Sequence, residues 1–578
     1  MIYNMRKLLS LLRGKYLVMA ILTPLLIVGE VVMEVSIPRV MADVVDTGIN
    51  KHDINYVLKS GGLMVLMAIV SLAFGALAAW TSSIAGMGFG KEIRKKLFYK
   101  IQDFSFSNVD RFSSSSLITR MTTDITNTQN SFIMVIRSLV RSPIMLVSAS
   151  IMAFSLNKEL SMMFLVVVPI LGTVLVTVIT KAHPKFKHML TRFDVLNARI
   201  QECLIGIRVV KAFVRGENEN ENFDEAAGAV RDAQKRAENI IIINMPAMQM
   251  VIYVCIILVL WFGGNMIIEG EMGTGNLVSF ISYVNQILMS LMMVAMSFTM
   301  IVISKASINR IVEVLNDIPD IPDNGDADLE VKDGSIVFDK VCFSYKGDLS
   351  SCALRNIDLE IKSGETVGII GGTGSSKSTL VQLIPRLYEV TSGSVKVGGI
   401  DVREYKQETL RNQVAMVLQK NVLFSGTIKE NLRWGDKDAT DEEIINACMA
   451  AQAHDFIMSF PEGYETVLGQ GGVNVSGGQK QRLCIARALL KKPKVVILDD
   501  STSAVDTATD SKIRQAFSRE LKDTTTIIIA QRISSVCDAD KIIVLENGRV
   551  NAVGTHEELL ENNEIYKEVY QSQQKGVE

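Results

Sequence analysis

The chain carries no excess charge of either sign. Its 60 Lys and Arg stand against 62 Asp and Glu, a formal net charge of −2. That excludes a global bias toward nucleic acid. Cysteine is sparse and scattered. The seven thiols (Cys203, Cys255, Cys342, Cys352, Cys448, Cys484 and Cys537) form no C-x-x-C pair and no metal spacing. A disulfide framework and a thiolate metal centre are therefore not expected, and the cysteines read as ordinary buried residues. Long uncharged apolar runs are almost missing from the second half, so no membrane span is expected there.

What is present sits in the first half. Hydrophobic residues make up 48% of the chain, high for a soluble enzyme, and they crowd toward the N-terminal side. Six spans are expected, near 16–38, 60–88, 132–156, 160–182, 240–268 and 276–304. Each approaches the ~20 residues that a bilayer requires. The first is too long for a signal peptide, lacks a small-residue cleavage site and carries Glu30 and Glu34. Basic residues 5–15 are amphipathic and suit the inner membrane surface.

Orientation follows from Lys and Arg. The 89–131 connection holds Lys91, Arg94, Lys95, Lys96, Lys100, Arg111 and Arg120, and the 183–239 connection is also basic. The remaining connections are short or acidic. Both termini are expected on the cytoplasmic side. The two long inner connections continue the helices that flank them. At their tips lie residues 111–120 and 206–213, expected as short helices that face a partner domain. The second tip exposes an Ile-x-Val-Val-x-x-Phe cluster that calls for a cover.

Residues 316–330 combine Pro, Gly and five aspartates, a linker composition. The expected division is a membrane domain over 1–315, a linker over 316–333 and a soluble domain over 334–578. In the soluble part, Thr366-Val367-Gly368-Ile369-Ile370 reads as a buried strand. It enters Gly371-Gly372-Thr373-Gly374-Ser375-Ser376-Lys377-Ser378-Thr379, and a helix follows. Strand, glycine-rich loop and helix start are the context of a phosphate-binding loop. Backbone N–H groups wrap the phosphates there. Lys377 is expected on the outer phosphates and Ser378 on Mg²⁺. A second strand, Val495-Val496-Ile497-Leu498, ends in Asp499-Asp500. An acid after a buried strand is the usual Mg²⁺-holding partner of such a loop. Between them, Val475-Ser476-Gly477-Gly478-Gln479 opens a helix. It is either a simple helix cap or an anion site for a nucleotide held by another subunit.

Together these motifs resemble the ATP-binding cassette (ABC) transporters, specifically exporter half-transporters with six spans and one cassette. The resemblance covers essentially the whole chain. It implies an all-α six-helix transmembrane domain followed by an α/β phosphate-loop ATPase domain. It implies ATP and Mg²⁺ as ligands, the cytoplasmic membrane as location, and membrane lipid, a small amphipathic substrate and a second subunit as partners. By position, Tyr345 matches the aromatic that stacks on adenine. Gln419 matches the glutamine that senses Mg²⁺, and Asp506 lies in the loop that crosses the dimer interface. Ser476, Gly477, Gly478 and Gln479 match the signature lent to the partner's ATP. The two tips match the coupling helices.

Three positions depart from the family pattern. Asp500 stands where the catalytic Glu belongs, Gln531 where the switch His belongs, and Ser376 where the loop has its second Gly. Aspartate is one methylene short of a base's usual reach. Glutamine bonds the γ-phosphate but carries no imidazole charge. All three fall on the half-site built around this chain's own loop, while its signature is intact. The resemblance therefore implies a heterodimer, with Asp500, Gln531 and Lys377 in a slow or non-hydrolytic site. A homodimer with two weak sites and a regulatory ATP-binding subunit are the alternatives. A lipid or peptide exporter is the alternative on substrate.

The last two spans hold Met245, Met248, Met250, Met266, Met289, Met292, Met293, Met296 and Met300, with Asn244, Gln249, Asn285 and Gln286. They suit a cavity for varied apolar ligands, or plain core and lipid-facing filling. Glu30 and Glu34 share one helical face. They read as contacts for a cationic substrate or, for Glu34, as a hydrated group near the outer surface. Arg137 and Arg141 share a face of span three and suit headgroup or ion-pair contact.

Overall fold

The computed structural model describes residues 2–323, 325, 326, 329–500, 507–520 and 523–575. Side chains at 2, 3, 175, 176, 179, 183, 241, 244, 245, 248, 295, 298, 299, 302, 303, 507, 508, 518 and 520 lie outside the description, so the expectations for Asn244, Met245 and Met248 do as well. The chain forms two compact units. One comprises Met1–Gln102 and Ser114–Asp317; the other comprises Asp103–Ser113 and Ile318–Glu578.

The first unit is helical. Among the described residues, five helical stretches are long and apolar enough to cross a membrane: Lys15–Ile49, Ile54–Gln102, Ser114–Leu156, Gln249–Ile268 and Thr274–Val294. From residue 163 on, the expected 160–182 span falls within the helix Met163–Ile205, part of which is outside the described side chains. A 49-residue helix such as Ile54–Gln102 is about 74 Å long, against ~30 Å of hydrocarbon core. The helices therefore run well past the apolar layer, as the long patterns suggested.

Two details of this unit differ from expectation. The N-terminal basic segment forms the helix Ile2–Leu9, but Leu8 and Leu12 are buried against protein. Asn4 Nδ2 donates to Asn309 Oδ1 at 3.0 Å. The segment is thus held to the last long helix rather than presenting its apolar side outward. Glu34 is not a separate hydrated carboxylate either. Arg141 Nη2 lies 2.5 Å from Glu34 Oε2 and 3.5 Å from Glu30 Oε1. One guanidinium pairs with both acids, closely with Glu34 and more distantly with Glu30, so neither stands as an isolated carboxylate.

The first tip also lies elsewhere than expected. Its helix is Phe106–Phe112, set by a capping box between Ser105 and Asn108. Ser113 (φ 58) breaks the chain there, so residues from Ser114 on already belong to the next long helix. The second tip forms the helix Ile207–Ala212, with Val209 and Phe213 exposed.

In the second unit, β1 (Ile336–Phe343), β2 (Leu354–Ile361), β4 (Ser392–Val397) and β5 (Ile400–Asp401) make an antiparallel sheet, ordered β2-β1-β4-β5. The larger sheet adds β3 (Thr366–Gly371), β6 (Val414–Val417), β9 (Val495–Asp499), β10 (Thr525–Ile529), β11 (Lys541–Glu546) and β12 (Arg549–Gly554). A short pair, β7 (Gly426–Thr427) and β8 (Val467–Leu468), stands apart. The order of the large sheet is β12-β11-β3-β10-β9-β6, all parallel except β12. Its central strands are buried on both faces, which is why they read as unbroken apolar runs. One core lies between the two sheets, around Val367, Ile497 and Ile527. The other lies under the helix Gly477–Leu490.

Candidate functional site

The parallel register brings three strand ends together. Ile529 pairs with Ile369 on one side and with Asp499 on the other. The C-terminal edge of β3-β10-β9 therefore collects the phosphate loop, Asp499-Asp500 and Gln531. Ligands of open parallel sheets bind at this edge.

The loop runs from Gly371 into a helix at Lys377–Gln382, six residues long and shorter than the sequence suggested. Gly371 is required by close approach, since a Cβ there would sit 2.2 Å from the Leu545 carbonyl oxygen. Ser376 is left-handed (φ 71, ψ 28). That is the conformation for which a glycine is free and a side chain is strained. The serine therefore keeps the loop's shape at a conformational cost rather than by filling it differently. Ser376→Val, which adds β-branching, is expected to lower cassette stability by about 1–2 kcal/mol, with Ser376→Gly causing no loss. Thermal unfolding of the full chain checks both.

Lys377 Nζ donates to Gly371 O at 2.8 Å and to Gly372 O at 3.0 Å. Burial pushes its ammonium below the usual lysine range, against the opposing charges of Asp500 and Asp499. Ser378 Oγ donates to Asp499 Oδ1 at 2.8 Å. Burial raises the Asp499 carboxyl, the Ser378 bond lowers it, and the Asp500 charge raises it again. Tyr345 is exposed, and its hydroxyl lies 2.9 Å from Thr379 Oγ1, so it stands beside the loop.

The donor set fits Mg²⁺. A hydroxyl and a carboxylate already meet at Ser378 and Asp499, and the exposed Gln419, whose Nε2 lies 3.5 Å from Asp500 Oδ2, carries a carbonyl oxygen as well. The Ser378 and Asp499 oxygens are hard ligands of the kind Mg²⁺ takes beside substrate phosphates. Among the described residues there is no cluster of three His, Cys, Asp or Glu that would hold a metal alone.

Asp500 is nearly buried and itself left-handed (φ 48). Its Oδ2 accepts from Gln531 Nε2 at 2.7 Å and from Gln419 Nε2 at 3.5 Å. The two departures from the family pattern thus touch each other. Gln481, which the motif reading missed, is buried, and its Nε2 donates to the Asp500 carbonyl at 3.3 Å. The signal was available: Gln481 is the polar residue on a stripe otherwise made by Ile485, Ala488 and Leu489.

Ser476 caps the helix Gly477–Leu490. Its side chain accepts from Gln479 N, and Gln479 Oε1 accepts from Ser476 N at 2.8 Å. The helix-cap reading is therefore correct as local structure. It leaves the anion-site reading open, because Ser476 and Gly477 remain exposed. Gly478 lies in the first turn behind them. Asp506, with residues 501–505, lies outside the described residues.

Next to the site, Tyr388 packs edge-on to Tyr345 (5.3 Å between ring centroids) and close to Phe343. Its hydroxyl donates to Asp110 Oδ2 at 2.7 Å, and Phe106 approaches its ring at 6.0 Å. Burial, then the acceptor Asp110, push the Tyr388 phenol up. The first tip is thereby joined to the aromatic group beside the phosphate loop.

The chain as a whole is similar to known proteins. Residues 20–291 match the ABC transporter transmembrane region, and residues 354–503 match the ABC transporter family. The uncharacterized ABC transporter ATP-binding protein YfiB of Bacillus subtilis (strain 168) is 39% identical, over 98% of each chain. The ATP-dependent lipid A-core flippase of Syntrophus aciditrophicus (strain SB) is 31% identical, over 88% of this chain and 84% of its own. The structure of a bacterial Atm1-family ABC exporter with ATP bound superposes with a TM-score of 0.82 at 25% identity, covering 96% of this chain and 98% of that one. The chain belongs to the ABC transporter family, as an exporter half-transporter with one transmembrane region and one ATP-binding cassette.

Proposed function

We propose that this chain is one subunit of a heterodimeric exporter that moves amphipathic or hydrophobic compounds across the cytoplasmic membrane. Both termini lie in the cytoplasm. Its own phosphate-loop site holds ATP but hydrolyses it slowly, and its Ser476 signature completes the partner's active site. One observation carries this reading. The Asp500 carboxylate, one methylene short, is held at 2.7 Å by Gln531, the residue that replaces the switch histidine. A base tied to a neighbouring amide and set back from the phosphate edge is poorly placed to take a proton from water.

In this reading Tyr345 carries the adenine, and Gly371, Gly372, Thr373, Gly374, Ser375, Ser376 and Thr379 shape the phosphate cradle around Lys377. Ser378, Asp499 and Gln419 hold Mg²⁺. When bound, the ion neutralises phosphate charge. Asp506 belongs to the loop at the subunit interface. The lipid-flippase relative favours a lipid as a second choice of amphipathic cargo.

The full chain purified without a partner tests this. It is expected to bind Mg·ATP and to turn it over very slowly, and a second half-transporter with Glu and His at the matching positions restores the rate. Robust hydrolysis by the chain alone, abolished by Asp500→Asn, would sink the heterodimer.

A further inference from the structure

The helical unit contains a cavity of about 530 Å³, within the range of small-molecule sites. Glu34, Arg137, Arg141, Gln286, Met289 and Met293 contribute to its wall. These come from three different membrane-crossing helices. Charge in such a place is costly and marks function by default.

The hydrogen-bonding needs of this wall are unequal. Glu30 and Glu34 are both met by Arg141. Arg137 has no carboxylate within ion-pair distance among the described residues. Its guanidinium brings five N–H donors and no acceptor. The hydroxyls close by give their protons to backbone, Ser142 to the Ser138 carbonyl and Ser290 to the Gln286 carbonyl, so they offer Arg137 only neutral oxygens. Gln286 Oε1, an acceptor, is buried without a partner and can take a proton donor of the headgroup, such as the hydroxyl of a monoprotonated phosphate. The helix is also deformed at this point. Arg137 sits in a π-helical turn, Val135–Leu139, a distortion that re-aims side chains and often accompanies functional sites. Met289 and Met293 offer an adaptable apolar surface on the same wall.

We infer that this cavity binds amphiphiles with an anionic headgroup, a phosphate or carboxylate held by Arg137, with the apolar part laid against Met289 and Met293. The acids of the first span are held by Arg141, which leaves Arg137 to meet the headgroup. This inference rests on the reading of the chain as an exporter of amphipathic compounds, and it names their class.

The test is direct binding to the full chain in phosphatidylcholine nanodiscs without nucleotide. Dodecyl phosphate, dodecyltrimethylammonium, dodecanol and inorganic phosphate are titrated and read by thermal shift. Dodecyl phosphate is expected to saturate, and Arg137→Glu to weaken it by about tenfold or more, the scale of a charge-assisted hydrogen bond. Arg137→Lys retains most of the affinity. Arg137→Gln keeps a polar side chain without charge, and replaces Arg137→Glu if that variant fails to fold, with the same expectation. Equal binding of the ammonium or the alcohol overturns the inference, as does unchanged affinity in the charge-removing variants. Inorganic phosphate binding as tightly as the amphiphile overturns the apolar half of it. Failure of dodecyl phosphate to bind a chain that still binds ATP sinks this inference alone. Fast ATP turnover by the solitary chain sinks the heterodimer reading and leaves this one standing.

Discussion

Asp500→Glu combined with Gln531→His is expected to raise ATP turnover at this chain's own site on the order of a hundredfold, the scale of a correction of about 1 Å in a reacting group. The structure supplies the reason for changing both. Asp500 Oδ2 is occupied by Gln531 Nε2 at 2.7 Å, with Gln419 Nε2 at 3.5 Å. A longer acid alone would reach further but would still meet the Gln531 amide. The left-handed backbone at Asp500 (φ 48) tolerates aspartate better than glutamate, so the single Asp500→Glu exchange also carries some strain. In the proposed arrangement the opposite half of the site comes from a partner's signature, for which the Ser476 signature of a second copy would stand in. The measurement is phosphate release by the full chain in nanodiscs at saturating Mg·ATP. Turnover that stays within about threefold of the unaltered chain, with nucleotide affinity unchanged, would show that the departures at Asp500 and Gln531 do not explain a slow site.

Lys377→Ala is expected to weaken Mg·ATP binding by about a hundredfold, roughly 2.8 kcal/mol. One or two charge-assisted hydrogen bonds account for a loss of that size. The ammonium already rests on the Gly371 and Gly372 carbonyls. Burial has already depressed its pKa. Much of the desolvation cost is therefore met before a phosphate arrives, and the transfer from carbonyls to phosphate exchanges neutral acceptors for charged ones. Calorimetric titration with Mg·ATP reads the loss. The Asp500→Glu, Gln531→His variant should keep its affinity in the same assay, which separates holding the nucleotide from cutting it. A Lys377→Ala protein that binds within about threefold of the unaltered chain would mean that this loop, with Ser376 in it, does not engage phosphates.

The cassette was legible wherever its signals were local. Strands β3, β9 and β10 are buried on both faces, so their apolar runs are unbroken, and the glycine-rich turn after β3 is self-announcing. Less local features were hidden. The ion pair between Arg141 and Glu34 joins residues 107 positions apart, and nothing in either neighbourhood encodes it. Span boundaries alone placed Glu34 near the outer surface. The first tip was misplaced because its cap is set by Ser105 and Asn108, and its end by the backbone at Ser113. The sequence pattern there shows only a run of serines. Gln481 was overlooked because motif reading stops at the signature, while its role depends on which way the helix faces. The contact between Asp500 and Gln531 needed the strand register, although each residue stood out by itself.

The first tip also bears on how this protein is taken apart. Residues Asp103–Ser113 belong to the second unit, although the chain reaches that unit's main body only after Asp317. Asn108 donates to the Ile318 carbonyl at 3.2 Å and accepts from Asp320 N at 3.3 Å, and Ser107 donates to the Asp320 carboxylate at 2.6 Å. A fragment beginning at the linker would therefore not be the whole soluble module. It would lack eleven residues supplied from far upstream, and Tyr388 would lose its acceptor beside the ring of Tyr345. Enzymology on such a fragment would report on a domain with a missing piece next to its own nucleotide pocket. A faithful minimal cassette needs residues 103–113 returned to it, as a separate peptide or by fusion.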